Sequence, residues 1–400
     1  MNSSLVTGLY VSADAVSESP NYARKLVEEC GVNLFVLRTG FNPGQACPQL
    51  DDTINNLTRL GARFMFLVGA WWGAGIENDP LTMKPVHSLM DYDARQAHES
   101  QWGMLTPCDK TNTVIVTKMD ALIRAYNPYG ICLTHARFKH PADINSLFDI
   151  GEASFKQNML NANISVDELS DGVQVLCKKI KGMTNQELLK IAAELSLIEL
   201  LDSLVESDLF SRWFAFRCAF IALAIEALFS PIRTLYPKTQ LGTNAMNPLF
   251  SVMSGQHYET LSRHCDFIQP LLGYMRWHVL QSVFMWGRLF SENVTDLSSA
   301  DALELSRKLF GISPGTLSNV DSDLDGTNEG DEADVIRTVE LQLERCAGNA
   351  ATMMPVLRGK GWQPSTITRL TESARLTGIG GVIYQGSDYV GGPPPGDGWS

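Results

Sequence analysis

Eight short apolar runs, each followed by a segment of helical character, recur along the whole chain, and no other feature restricts its fold as strongly. The runs are Leu5–Val11, Asn33–Leu37, Arg63–Val68, Gly130–Leu133, Gln240–Thr243, Phe267–Leu272, Thr352–Leu357 and Gly381–Tyr384. Strands that alternate with helices build parallel α/β sheets, and eight such units in order is the count of a (β/α)8 TIM barrel. A doubly wound sheet is the competing arrangement, because strand order is invisible in sequence.

The helical segments carry their own signals. Ser19 reads as an N-cap with Pro20 at the first helical position, opening a helix that runs to Cys30 and Gly31. Further helices are expected over Gln49–Leu60, about Val114–Ala125, and Val335–Cys346. Residues 146–235 read as mostly helical, with Leu188, Ile191, Ala192, Leu195 and Ile198 at helical spacing. These features predict one barrel domain over 1–390, with a helical insertion at 146–210 after the fourth strand and an acidic loop at 313–332. The tail 391–400, with Pro393–Pro395, is expected to be extended or flexible.

A chain of 400 residues with 44% hydrophobic side chains can bury a large core. Its net charge of −12 argues against non-specific nucleic-acid or anionic-membrane partners, which need a basic face. The N-terminus lacks a basic region followed by a long apolar one, so a cytoplasmic protein is expected. The longest apolar run, Ala219–Phe229, contains Glu226 and follows Arg217, which suits a buried barrel helix better than a membrane span. The eight cysteines are dispersed without C-x-x-C spacing and read as reduced, mostly buried thiols. Oligomeric state leaves no mark on the sequence.

Ligands of parallel barrels bind at the C-terminal ends of the strands. The segment Tyr129–Asn145 is the most informative such end, since an apolar strand breaks directly into His135, Arg137 and His140. If the strand continues, residues 135 and 137 point to one side. They can then orient a hydroxyl or carboxylate, or move protons near neutral pH. In the alternative, Arg137 pairs with an acid on a neighbouring strand and the histidines cap the loop. The H-x4-H spacing lacks an obvious third ligand and is a weak metal signal.

Four passages together carry a family resemblance. Gly130-Ile-Cys-Leu-Thr-His-Ala-Arg-Phe-Lys-His-Pro141 resembles a fourth strand of the form G-I-x-L-D-x-x-R-F/Y-P. The helix Trp213-Phe-Ala-Phe-Arg217, leading to Pro237 and Gly242, is the second. Gly255-Gln256-His257-Tyr258 with Cys265–Pro270 is similar to V-G-Q-D-Y … D-F-I-K-P-M-x-Y, and Gly380–Tyr384 resembles the closing strand. In these passages the chain resembles bacterial glycoside-hydrolase-like barrel proteins, relatives of the wider glycosidase barrels. The resemblance implies a carbohydrate or glycoside partner. Thr134 stands where these relatives usually carry Asp, and His135 where some carry Glu.

Glycoside hydrolysis needs two carboxyl groups across the scissile bond. Asp14 follows the first strand, Asp388 follows the eighth, and Glu152 lies beyond the fourth; each can also be an ordinary loop acid. The first and last strands are neighbours in a closed barrel, so Asp14 and Asp388 can face one substrate. With His135, these acids are the catalytic candidates. Trp71 and Trp72, directly after the third strand, suit stacking against a sugar ring, or alternatively core packing under a lid. The remaining rim comprises Tyr10, Arg38, Asn42, Asn244, Asn247, Gln269, Tyr274, Arg358, Tyr384 and Gln385. This set suits a polyhydroxylated or anionic ligand but supplies no acids. A non-hydrolytic binding protein, or a lyase or isomerase using His135, is therefore the second expectation. An interaction scaffold resting on the insertion and the acidic loop is the third.

A separate motif, Asp321-Ser-Asp323-Leu-Asp325-Gly326-Thr327 with Glu332, matches D-x-D-x-D-G-x5-E. Oxygen ligands from Asp321, Asp323, Asp325, Thr327 and Glu332 can wrap a calcium ion, with Gly326 permitting the sharp turn. Against it, Asn328 replaces an aliphatic residue and Pro314-Gly315 interrupts the entering helix, which leaves a solvated acidic loop as the other reading. No cofactor beyond a structural calcium is expected.

Overall fold

The computed structural model describes residues 6–18, 20–38, 47–73, 76, 79–86, 103–272, 275–312, 332–349, 351–358 and 364–385. Eight parallel strands form one sheet: Val6–Ser12, Leu34–Arg38, Arg63–Gly69, Gly130–Thr134, Gln240–Ala245, Phe267–Pro270, the two-part seventh strand Thr352–Met353 and Val356–Arg358, and Gly381–Gln385. Each strand pairs with the next in sequence, and the first pairs with the eighth. That order lacks the reversal a doubly wound sheet requires, so the barrel is the correct alternative.

The seventh strand closes the ring in two halves. Thr352–Met353 pairs with the sixth strand and Val356–Arg358 with the eighth. Pro355, which has no N–H to donate, stands at the break. Met354 N donates to Ile268 O at 2.9 Å and Leu272 N to Val356 O at 3.1 Å, carrying the ladder across the gap.

Two cores follow from strand alternation. Leu34, Val36, Met65, Cys132, Phe267, Val356 and Ile383 point inward and form the barrel interior with Tyr10. Phe35, Leu37, Phe64, Phe66, Ile131, Leu133 and Val382 point outward into the larger core shared with the helices. Burial on both faces is why the strand sequences read as continuous apolar runs. Gly242 marks the tightest approach inside the ring, since a Cβ there would lie 2.2 Å from Phe267 O.

The insertion after the fourth strand holds the helices Ala153–Asn161, Val166–Gly182, Asn185–Ile191 and Leu197–Val205. Capping boxes open three of them, at Ser165/Glu168, Thr184/Glu187 and Ser196/Glu199. The expected helical run through Leu188 and Ile198 is interrupted, because Ser196 caps a new helix after the short 3-10 turn Ala192–Glu194. The apolar run Ala219–Phe229 lies in Leu209–Leu235, a helix long and apolar enough to cross a membrane by length and composition alone. In the fold it packs beside the barrel, burying Trp213, Arg217, Ile221, Ile225, Phe229 and Ile232.

An unexpected helix, Ala13–Glu18, follows the first strand at once, so Asp14 belongs to a helix rather than a loop. The next helix is Pro20–Glu28, shorter than expected, and its anticipated cap Ser19 lies outside the described residues. The helix Glu332–Cys346 includes the last residue of the acidic motif. The rest of that motif and the tail 391–400 lie outside the described residues.

Candidate functional site

The fourth strand stops at Thr134, and the chain turns sharply there. His135 takes a left-handed conformation with φ of 59°, which an L side chain adopts only at a cost. The alternation expected to place residues 135 and 137 on one side therefore ends at the strand. Trp72 brings the two together instead. The His135 ring stacks on the indole at 5.2 Å between centroids, and the Arg137 guanidinium lies 4.5 Å from the indole centroid. Trp72 Nε1 donates to Arg137 O at 2.8 Å, which fixes the indole against this turn. The ends of the third and fourth strands are joined by Ala70 N donating to Thr134 O at 2.8 Å.

Beneath this cluster a polar layer spans the barrel interior. The Tyr10 hydroxyl donates to Gln269 Oε1. Asn244 Nδ2 donates to the Tyr10 hydroxyl oxygen at 2.6 Å and to Gln269 Oε1 at 3.2 Å, and the Cys132 thiol reaches the same oxygen at 3.3 Å. Residues from the first, fourth, fifth and sixth strands thus meet at one carboxamide. Burial pushes the Cys132 thiol well above its ordinary value, so it remains a thiol. Gln385 is buried beside Tyr10 in strand register, and Arg38 is exposed at the end of the second strand, level with Ser12.

Several expected site residues lie elsewhere. Trp71 is buried in the helical shell and donates from Nε1 to Asn112 Oδ1 at 3.0 Å, so of the two tryptophans Trp72 alone belongs to the strand-end cluster. Tyr384 faces outward, where its hydroxyl meets Thr371 Oγ1 at 2.6 Å on the helix Pro364–Leu376. His140 is buried, accepts from Ala142 N at Nδ1 (3.1 Å), and stacks on His278 at 5.0 Å. His135 and His140 therefore serve different clusters. Among the described residues no group of three His, Cys, Asp or Glu is placed to hold a metal. Glu152 precedes the helix Ala153–Asn161 and accepts from Ser154 Oγ at 2.9 Å. Asn42, Tyr274, Asp388, Asp321, Asp323, Asp325 and Thr327 lie outside the described residues. For Asp14, Arg358 and Glu332 the backbone alone is described.

Sequence reasoning missed a buried charged group under the fourth-strand segment. Arg217 is wholly buried; its Nη1 donates to Leu147 O at 2.7 Å and its guanidinium lies 4.0 Å from the Phe138 ring centroid. Trp213 Nε1 donates to the same carbonyl at 2.9 Å. Asp149 is buried nearby; burial pushes its carboxyl up to about 7, with Lys139 opposing, and burial lowers Arg217 to about 9. Lys139 pairs with Asp143 at 3.3 Å. An acid-free stretch of apolar sequence around Arg217 gave no hint that a carboxyl would be brought to it. His278 was missed as well, because the π-helix Met275–Leu280 that carries it has no sequence signature. A cavity of 590 Å³ lies wholly among the insertion helices and their caps, lined by Val175, Met183, Ile191 and Leu204 with Lys178 and Glu187.

No protein-family model matches the sequence, and no curated protein matches it. Solved structures do. The glycoside hydrolase domain of PgaB (BpsB) from Bordetella bronchiseptica aligns over 97% of this chain and 95% of its own, with TM-score 0.55 and 9% identity. Gan42B, a GH42 beta-galactosidase from G. stearothermophilus, aligns over 95% of this chain at TM-score 0.50 and 12% identity, but this chain covers half of it. Likeness at such identities is a likeness of architecture: the chain is a (β/α)8 barrel similar in fold to barrels of glycoside hydrolases.

Proposed function

We propose that this protein is a carbohydrate-active barrel, and that it is a glycoside hydrolase for a polyhydroxylated or anionic sugar. The observation that carries the reading is the strand-end cluster in which Trp72 gathers His135 and Arg137 over the polar layer of Tyr10, Asn244 and Gln269. An aromatic face beside hydrogen-bonding groups matches the alternating C–H and hydroxyl surface of a sugar. In this reading Asp14 and Asp388 are the general acid and its partner, and His135 and Arg137 orient the substrate. Asp14→Asn and Asp388→Asn should each lower turnover of a cleaved glycoside by at least about tenfold. Unchanged turnover in both variants would remove these two assignments.

The second reading is a non-hydrolytic sugar-binding barrel, or a lyase or isomerase that uses His135. It is favoured by the strand end itself, Thr134-His135, which offers no carboxylate. Saturable calorimetric binding of a glycan that never yields reducing ends would support it, and steady release of reducing sugar would exclude it. We also propose a structural calcium at Asp321, Asp323, Asp325, Thr327 and Glu332, supported by the D-x-D-x-D-G-x5-E spacing of these residues. Native mass spectrometry with and without calcium tests this, and the absence of a mass shift would dismiss it.

A further inference from the structure

The helix Leu209–Leu235 buries one side against the barrel and leaves the other open. A surface helix ordinarily turns charged side chains to water. Here Ala215, Ala219, Leu223, Ala227, Pro231 and Leu235 recur at every fourth position, and every exposed residue of the helix is uncharged. Leu223, at the middle of the row, is 65% exposed. The charged residues of the helix are half-buried and paired within the chain. Arg212 meets Glu168 and Asp208, and Arg233 meets Glu226 and Asp266. The shell helix Pro48–Arg59 shows the ordinary pattern, with Asp51, Asp52 and Arg59 exposed.

The neighbouring helix Asp109–Tyr126 widens the open face. It is tied to the end of the long helix by the Tyr236 hydroxyl, which donates to Asp120 Oδ1 at 2.7 Å. Its Val114 is 70% exposed, and Thr113 and Thr117 beside it are exposed and uncharged. Contiguous apolar faces of this kind mark interaction surfaces. A net charge of −12 opposes an anionic lipid surface as the cover.

Three features select a second copy of the chain instead. The face is complementary to itself about Leu223: a two-fold axis at that residue, with the helices antiparallel, sets Leu223 against Leu223, Ala219 against Ala227 and Ala215 against Pro231. The two ends carry opposite charge. Glu206 and Asp208 are exposed at the start of the helix and Lys238 just past its end, so antiparallel copies bring acid toward base. The size also suits a dimer. A helix of 27 residues is about 40 Å long and about 10 Å wide. It offers about 400 Å² per partner before Val114 and its neighbours are added, the low end of specific interfaces.

We propose that this face is the interface of a reversible two-fold homodimer, in which Leu209–Leu235 of one copy packs antiparallel on the same helix of another. The contact lies on the flank of the barrel and does not depend on the carbohydrate reading.

Sedimentation velocity on the full chain, between about 1 and about 100 μM, tests the proposal. The wild type should rise reversibly to twice the chain mass, with a Kd on the order of 10 μM. Leu223→Glu sets two carboxylates against each other at the axis and should weaken association at least about tenfold. Its melting temperature in dilute solution should match wild type, because the side chain is exposed. Ala227→Glu repeats the test at a second exposed position on the face. Leu376→Glu, at a leucine 79% exposed on another helix, should dimerise as the wild type does. A monomer throughout the range, a dimer that both face variants leave intact, or equal weakening by Leu376→Glu overturns the proposal. A monomer that co-sediments with phosphatidylcholine vesicles also overturns it and gives the face to a lipid surface.

Discussion

His135 combines a left-handed backbone with an aromatic stack, and each has an energetic consequence. A residue with a Cβ is strained at φ of 59°, whereas glycine is not. His135→Gly and His135→Ala both lose the contact with Trp72, so their difference isolates the strain: the glycine variant should be the more stable by about 1 kcal/mol in urea denaturation. Asp149 supplies a second prediction. Its ordinary value is 3.8 and burial raises it to about 7, so the folded state holds this proton more tightly than the unfolded chain. The associated stability is complete below the ordinary value and is lost as pH rises toward 7. Asp149→Asn has no such proton, so its melting temperature should improve relative to wild type between about pH 5 and about pH 8. A pH-independent difference would count against the buried ionisation. At this scale the sequence revealed residues that lie at strand ends: Tyr10, Asn244, Gln269, Trp72, His135 and Arg137 could all be found by position. Arg217, Asp149 and His278 could not, because their burial depends on how the segments that follow the fourth and sixth strands fold back on the barrel.

Among elements, the strands were legible because both faces of each are buried, leaving apolar runs bounded by polar turns. The fifth strand shows how tightly the ring closes. A methyl group at Gly242 would meet the Phe267 carbonyl at 2.2 Å, so Gly242→Ala should cost about 3 kcal/mol in denaturant unfolding, through displacement of the sixth strand. Helices were located more reliably than they were bounded. Ser196 sits within a stretch of apolar residues at helical spacing, yet its side chain and Glu199 form a capping box that starts a separate helix. Ser196→Ala should accordingly cost about 1 kcal/mol, measured by thermal denaturation. The helix Ala13–Glu18 escaped notice because it follows the first strand without a breaker between them. It changes the setting of Asp14, whose backbone now belongs to a helical turn at the barrel rim.

For the whole molecule, closure is decided at the seventh strand. Pro355 splits that strand, and the two halves serve opposite neighbours, a division that a single apolar run from Thr352 to Leu357 conceals. Closure brings the first and eighth strands side by side, with Tyr10 level with Gln385. That adjacency is the ground for the proposal that Asp14 and Asp388 act together as catalytic carboxyls. The end of the fourth strand, Thr134-His135, carries no carboxylate. The proposed activity is glycoside cleavage at this mouth. It is tested most directly by the release of reducing ends from a panel of glycosides incubated with purified protein. Saturable release from at least one of them is the expected result. Saturable sugar binding with no release from any of them would contradict it.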